Sequence, residues 1–95
     1  EGQLNNGGSA ILPSNGFNFS GGQIDAWLYS PAGASFTVTL QAQSCFLFFC
    51  GWNNVTTASP QGGVAEIHTN VNSGYYRWQV QAQSGSGAYT LLTNP

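Results

Sequence analysis

The sequence predicts an all-β protein that forms an antiparallel β-sandwich of the jelly-roll or immunoglobulin-like kind. Apolar and polar residues alternate over several short segments, as they do in strands with one buried face. Gly, Pro, Asn and Ser separate these segments, and no long window has the apolar spacing of an amphipathic helix. Because 95 residues suffice for one hydrophobic core, we expect residues 1–95 to form a single domain.

The strand signals begin with residues 17–19 (FNF), a short candidate, and residues 23–29 (QIDAWLY), a longer one. Alternation in the longer segment turns Ile24, Ala26 and Leu28 toward the core. The other side chains of that segment face outward: Asp25, Trp27 and Tyr29.

Two later segments, residues 35–43 and 74–83, end in Gln-Ala-Gln, and a Ser follows each of them. The inward side chains of the first are Phe36, Val38 and Leu40. Those of the second are Tyr76, Trp78 and Val80, and its outward side chains are Tyr75, Arg77, Gln79 and Gln81. We interpret the shared motif as two similar strands, and further short strands are expected at residues 64–70 and 87–92.

Charged residues are rare in this chain. They are Glu1, Asp25, Glu66 and Arg77, which make up 4% of the residues and give a net charge of −2. Phosphate binding needs clustered Lys and Arg, and attraction to anionic lipid needs a basic surface. The longest apolar stretch is far shorter than the ~20 residues of a membrane span. We therefore expect neither a nucleic acid nor a membrane as a partner.

The polar surface must consist of Asn, Gln, Ser, Thr and Gly, which is common in proteins that work among sugars or insoluble polymers outside the cell. The chain begins without the basic and apolar regions of a signal peptide. We expect a secreted protein, either processed or cut from a larger secreted enzyme, in which this module accompanies a parent catalytic domain in cis.

Cys45 and Cys50 enclose four large apolar residues. Five steps of extended chain span ~17 Å, whereas a disulfide needs Cα atoms roughly 4.4–6.8 Å apart. Two cysteines in a small secreted domain usually pair, so we expect a disulfide and a bend between them. Leu47 and Phe49 are then expected to face inward, with Phe46 or Phe48 at the rim. The alternatives are that all four residues belong to the core, or that they form a self-association patch.

Catalysis is not expected. The chain has one His, one Asp and two Glu, and it lacks the Gly-x-Ser-x-Gly elbow of many hydrolases. Nothing places Asp25 and Glu66 across a cleft at the ~5–9.5 Å that glycoside hydrolysis requires. A zinc site and a phosphate-binding loop also lack their residues. We expect no enzyme activity, no metal and no cofactor.

Binding of sugars is better supported. Sugars present apolar C–H faces and hydroxyl groups, which aromatic rings and hydrogen-bonding side chains recognise together. The predicted binding residues are Asp25, Trp27, Tyr29, Trp52, Tyr75, Arg77 and Gln79. We expect them to hold a neutral polysaccharide of the glucan, chitin or cellulose type. Arg77 is expected to face Asp25, within the site or as an ordinary surface ion pair, and Trp27 is either exposed or covered by residues 11–19.

Residues 67–92 (IHTNVNSGYYRWQVQAQSGSGAYTLL) resemble the end of the bacterial pre-peptidase C-terminal (PPC-like) domain, with its Gly-x-Tyr-Tyr strand, Ser-Gly-x-Gly turn and Tyr-Thr-Leu strand. Residues 29–40 are similar to its Pro-Ala-Gly turn and following strand. The resemblance implies a non-catalytic β-sandwich that accompanies secreted peptidases and other hydrolases. It also implies an alternative function in secretion, maturation or the binding of protein substrate.

Overall fold

The computed structural model describes residues 2–94, which form eight strands. The strands are β1 (Gly2–Leu4), β2 (Ser9–Phe19), β3 (Gly22–Tyr29), β4 (Ser35–Phe46), β5 (Phe49–Ala58), β6 (Val64–Val71), β7 (Gly74–Ser84) and β8 (Gly87–Asn94). No helix in residues 2–94 is long and apolar enough to cross a membrane.

The strands pair in two four-stranded antiparallel sheets. One has the order β1-β8-β3-β6 and is called the β3 sheet; the other has the order β2-β7-β4-β5 and is called the β7 sheet. The two sheets pack face to face, as predicted, and form a β-sandwich. The two strands that share Gln-Ala-Gln-Ser, β4 and β7, are the central strands of this sheet and pair with each other, with Thr39 opposite Gln79. Both follow the same alternation of inward and outward side chains.

The core lies between the sheets and is built by the predicted alternation. In β3, Ile24, Ala26 and Leu28 are all fully buried. The predicted inward residues of β4 and β7 are buried as well: Phe36, Val38, Leu40, Tyr76, Trp78 and Val80. Trp78 is only 2% exposed, and it is the bulkiest of the fully buried side chains. The prediction that this tryptophan belongs to the core is confirmed.

Strand β2 is longer than the sequence suggested, and its register shifts between Leu12 and Phe17. It pairs with β7 and therefore belongs to the sheet that does not contain Trp27. The alternative that residues 11–19 cover Trp27 is wrong for this reason. Strand β5 was not predicted, because most of its side chains are exposed and show little alternation.

The β4–β5 hairpin extends beyond its sheet as an arm, defined as residues 43–52. Pairing of β4 with β7 ends at Ala42, whereas pairing of β4 with β5 continues to Phe46 opposite Phe49. Leu47 and Phe48 form the turn at its tip. Residues 43–51 are all exposed, so the other sheet covers neither face of the arm.

The expected disulfide is present in this arm, but the expected burial is not. Cys45 and Cys50 are bonded across the two strands, with Cα atoms 4.0 Å apart, and the chain turns between them. The four apolar side chains are 76% (Phe46), 79% (Leu47), 97% (Phe48) and 77% (Phe49) exposed. The expectation that Leu47 and Phe49 face inward is wrong, as is the alternative that all four are in the core. The arm projects past the sandwich, where there is no core to enter.

Candidate functional site

The predicted binding residues lie on two opposite surfaces. Trp52, Tyr75, Arg77 and Gln79 lie on the outer face of the β7 sheet, and Asp25, Trp27 and Tyr29 lie on the outer face of the β3 sheet. Outward side chains of two packed sheets point away from each other. The expected contact between Arg77 and Asp25 is therefore wrong, and a single flat binding surface cannot include both groups.

The first surface is called the Trp52 face, and it comprises Gln41, Trp52, Asn54, Tyr75, Arg77 and Gln79. The Arg77 guanidinium lies over the Trp52 ring, with its central carbon 4.3 Å from the ring centroid. The Tyr75 ring is on the other strand, with its centroid 6.1 Å from that of Trp52 and its plane tilted by 39°. All three side chains are half-buried, so part of each remains open to solvent.

Gln41 forms hydrogen bonds with three other residues of the Trp52 face. Its Oε1 accepts a bond of 2.6 Å from Arg77 Nε, and its Nε2 donates to Asn54 Oδ1 at 2.9 Å. A longer contact of 3.3 Å joins the same Nε2 to Gln79 Oε1. Gln41 is only 8% exposed, although it lies on an outer face. Its polar atoms are satisfied by this network, which fixes the guanidinium in one orientation.

Gly16, in the irregular stretch of β2, fits closely against the two rings. Its φ is +75°, in the left-handed region, and an added Cβ would lie 2.6 Å from Tyr75 Cε2 and 3.1 Å from Trp52 Cη2. The Tyr75 hydroxyl donates a hydrogen bond to the carbonyl oxygen of Asn15 beside it. A side chain at position 16 would displace the rings, so the bend in β2 holds Tyr75 and Trp52 in place.

The second surface is called the Trp27 face, and it comprises Asp25, Trp27, Glu66 and His68. The two ring nitrogens of His68 face carboxylates: Nδ1 is 2.9 Å from Asp25 Oδ1, and Nε2 is 2.9 Å from Glu66 Oε1. Trp27 meets the His68 ring edge-on, at 5.5 Å between centroids. Since both nitrogens are engaged, His68 has no free nitrogen with which to activate a nucleophile.

Carboxylates only accept hydrogen bonds, so both contacts are made at once only by the protonated imidazole ring. The hydrogen bond to Glu66, followed by the one to Asp25, raises the pKa of His68 above its usual value of 6.5. The hydrogen bond donated by Gln23, followed by that of His68, lowers the pKa of Asp25 below its usual 3.8. Within residues 2–94, no group of three or more His, Cys, Asp and Glu side chains is arranged to hold a metal ion.

Tyr29 lies on the outer side of the β3 sheet, at the end of β3, and is not among the residues that make up the Trp27 face. It is 46% exposed and borders an open depression of about 520 Å³ at the end of the β3 sheet, together with Gly2 and Tyr89. None of the residues of the Trp52 face lines this depression. The Trp52 face is formed by neighbouring strands of the β7 sheet and is separate from this depression.

The sequence prediction missed two residues of the Trp52 face, Gln41 and Asn54. The outward row of Gln and Thr along β4 was a usable signal for Gln41, because the alternation that buries Leu40 turns the next side chain outward. Asn54 had no such signal, since β5 was not recognised as a strand. Its contact with Gln41 follows from the register of β4 and β5, in which the two residues lie opposite each other.

Comparison of the chain with family models, with curated proteins and with solved structures found no significant match. The resemblance to PPC-like domains therefore remains a prediction that depends on the motifs in residues 29–40 and 67–92.

Proposed function

We propose that this chain is a non-catalytic carbohydrate-binding module whose Trp52 face holds a neutral polysaccharide of the glucan, chitin or cellulose type. The observation that carries the proposal is the grouping of Trp52, Tyr75 and Arg77 on one surface whose other members are the uncharged amides Gln41, Asn54 and Gln79. Aromatic rings stack on the C–H faces of sugars, and amide and guanidinium groups bond their hydroxyls.

The hydrogen bonds within the face support binding in a second way. Arg77 is held by Gln41 and by the Trp52 ring before any ligand arrives. Side chains that are already ordered lose less conformational entropy on binding, which favours affinity for a ligand that offers only weak polar contacts. The shape of the site also favours a polymer, because an open sheet surface contacts an extended chain better than it encloses a small molecule.

The Trp27 face is less suited to a neutral ligand. Its polar groups are ionisable and form ion pairs, in which His68 engages both Asp25 and Glu66, whereas the hydrogen-bond partners of Arg77 on the Trp52 face are uncharged. A sugar hydroxyl would have to compete with these ion pairs. We therefore assign the polysaccharide site to the Trp52 face alone.

The location of the two faces provides a test with an internal control. Retention of the protein on insoluble cellulose, chitin and β-glucan would be measured for the unmodified chain, Trp52→Ala and Trp27→Ala. Loss of a central tryptophan typically weakens binding by tenfold or more. We expect Trp52→Ala to lose retention to at least that extent and Trp27→Ala to keep it, with both variants checked for native circular dichroism.

Two results would contradict the proposal. Loss of retention only in Trp27→Ala would move the site to the opposite face. Absence of retention of the unmodified chain on all three polymers would leave the alternative that the resemblance suggests, an accessory domain of a secreted peptidase that acts in secretion, maturation or protein-substrate binding.

A further inference from the structure

The tip of the β4–β5 arm is the most exposed apolar feature in residues 2–94. Its four side chains, Phe46, Leu47, Phe48 and Phe49, are each at least 76% exposed. If a fully exposed large apolar residue presents ~200 Å², the tip presents on the order of 600 Å². That is the upper end of the ~300–600 Å² that the largest patch on a typical monomer reaches, and such patches are often functional.

The arm is built to keep this tip extended into solvent. Four cross-strand pairs, from Gln43–Trp52 to Phe46–Phe49, lie beyond the last pairing of β4 with β7. An isolated two-stranded hairpin is only marginally stable in water. The Cys45–Cys50 disulfide lies one pair behind the tip and holds the two strands together there.

The turn at the tip contains an apolar residue at a position where glycine would be less strained. Leu47 has a φ of 59°, the left-handed region in which glycine is free of strain and leucine is not. A glycine would relieve the turn but would remove one of the four apolar side chains. Backbone strain of this kind is concentrated at sites that bind or switch.

Charge and area together indicate what the tip contacts. The sequence from Ala26 to Ala65 contains no Asp, Glu, Lys, Arg or His, so the arm has no charge with which to select an anionic or cationic partner. An area on the order of 600 Å² is less than the ~800 Å² that each partner buries in a standard protein interface. A convex, uncharged and purely apolar tip instead fits a fluid apolar medium, which adapts to its shape. Interfacial insertion of apolar groups by ~5–10 Å needs no spanning segment.

We propose that the tip of the β4–β5 arm inserts into the surface of a membrane of zwitterionic lipid and anchors the module there without a charge contribution. The expectation of no membrane partner depended on the scarcity of basic residues and on the lack of an apolar stretch long enough to span a bilayer. Neither consideration applies to a four-residue tip. This site is independent of the Trp52 face, because none of its four residues belongs to that face.

The test is co-sedimentation of the full chain with vesicles of phosphatidylcholine alone and of phosphatidylcholine with phosphatidylglycerol. We expect binding to both, with no gain from the anionic lipid. Phe48→Ser should weaken partitioning by about tenfold or more, since this ring is almost fully exposed and its burial in lipid is lost. Leu92→Ser is the matched control, because Leu92 is 51% exposed on β8, away from the arm, and should change partitioning less than twofold.

Failure of the unmodified chain to sediment with either vesicle would overturn the proposal, as would binding that requires phosphatidylglycerol or that Phe48→Ser leaves unchanged. Sedimentation velocity without lipid tests whether the tip instead contacts a second copy of the chain. A concentration-dependent dimer that Phe48→Ser abolishes would assign the tip to a second copy and overturn the proposal, and a monomer that binds no vesicle would overturn it as well. Polysaccharide retention should be the same in Phe48→Ser and the unmodified chain, so the two proposals fail separately.

Discussion

His68 connects two carboxylates on the Trp27 face, and this single residue makes part of the stability depend on pH. The pKa of His68 is raised, so its contribution is fully present below the usual 6.5 and is lost as the pH rises through the raised value. The pKa of Asp25 is lowered, so its contribution is present above the usual 3.8 and is lost as the pH falls through the lowered value. Both contributions are therefore present together between pH 3.8 and pH 6.5.

The chain has one histidine, so its ring protons can be followed by NMR without assignment. We predict that Glu66→Gln and Asp25→Asn each lower the pKa of His68 toward 6.5, with the larger effect from Glu66→Gln because its hydrogen bond is the main cause of the shift. The stability advantage of the unmodified chain over His68→Gln should decrease as the pH is raised above neutrality. If His68 titrated identically in the unmodified chain, Glu66→Gln and Asp25→Asn, this description of the Trp27 face would be wrong.

At the level of secondary structure elements, the β4–β5 arm is held differently from the rest of its sheet. Beyond Ala42 it has no third strand beside it. It is held by the pairing of two strands, by the disulfide, by a hydrogen bond from Asn53 Nδ2 to Ser44 Oγ at 2.7 Å and, at its base, by the contacts of Trp52 with Arg77 and Tyr75. The core strands do not depend on these contacts. The arm should therefore loosen without unfolding of the sandwich.

The double variant Cys45→Ser/Cys50→Ser tests this separation. We predict a loss of about 2 kcal/mol in the free energy of unfolding, the chain-entropy value for so short a loop, with the β-sheet circular dichroism retained. Hydrogen exchange should accelerate at Ser44 and Gly51 but not at Val38 or Val80. Treating the unmodified chain with a reductant should give the same pattern. Equal acceleration in the core strands would show that the arm and the sandwich unfold as one unit.

The elements that could be predicted from the sequence are those with one fully buried row. Strands β3, β4 and β7 alternate clearly because each presents its apolar residues to the opposite sheet. Strand β5 lies at an edge and shows no such row, and the stretch around Gly16 interrupts the pattern of β2. Alternation of apolar and polar residues arises from burial of one face of a strand, so it does not reveal a strand with few buried side chains.

The candidate site was only partly predictable for a related reason. Alternation showed correctly that Trp27 and Arg77 face outward, but it does not specify which sheet a strand joins. Asp25 and Arg77 were expected to meet, and the strand order places them on opposite surfaces. The exposed tip was also unpredictable, because whether Leu47 and Phe49 reach a core depends on how far the hairpin extends past the other sheet.

For the whole molecule, stability depends on the contact between the sheets. Only four residues carry a formal charge, and surface ion pairs contribute little. The three tryptophans occupy different environments within this arrangement. Trp78 is buried between the sheets, whereas Trp27 and Trp52 are half-buried on opposite surfaces. The loss of stability on replacing each tryptophan should therefore differ between the buried position and the surface positions.

We predict that Trp78→Ala lowers the free energy of unfolding by about 3–5 kcal/mol, the cost of removing a large buried aromatic side chain. Trp27→Ala should cost less than Trp78→Ala, because Trp27 lies on an outer face of the sandwich and keeps part of its surface in contact with water. Urea unfolding followed by far-ultraviolet circular dichroism would give both values. Similar losses in the two variants would mean that Trp27 contributes to the packing of the domain as much as Trp78 does.

The position of Arg77 has a consequence for proteolysis. The chain contains one basic residue and no lysine, so trypsin has a single peptide bond to cut, between Arg77 and Trp78. That bond lies in β7, between β2 and β4, and Trp78 beside it is sealed in the core. A protease needs an extended, unpaired segment, and a central strand is released only when the whole domain opens. Each tryptic cut therefore records one global unfolding event, and digestion should pass directly from intact chain to two fragments.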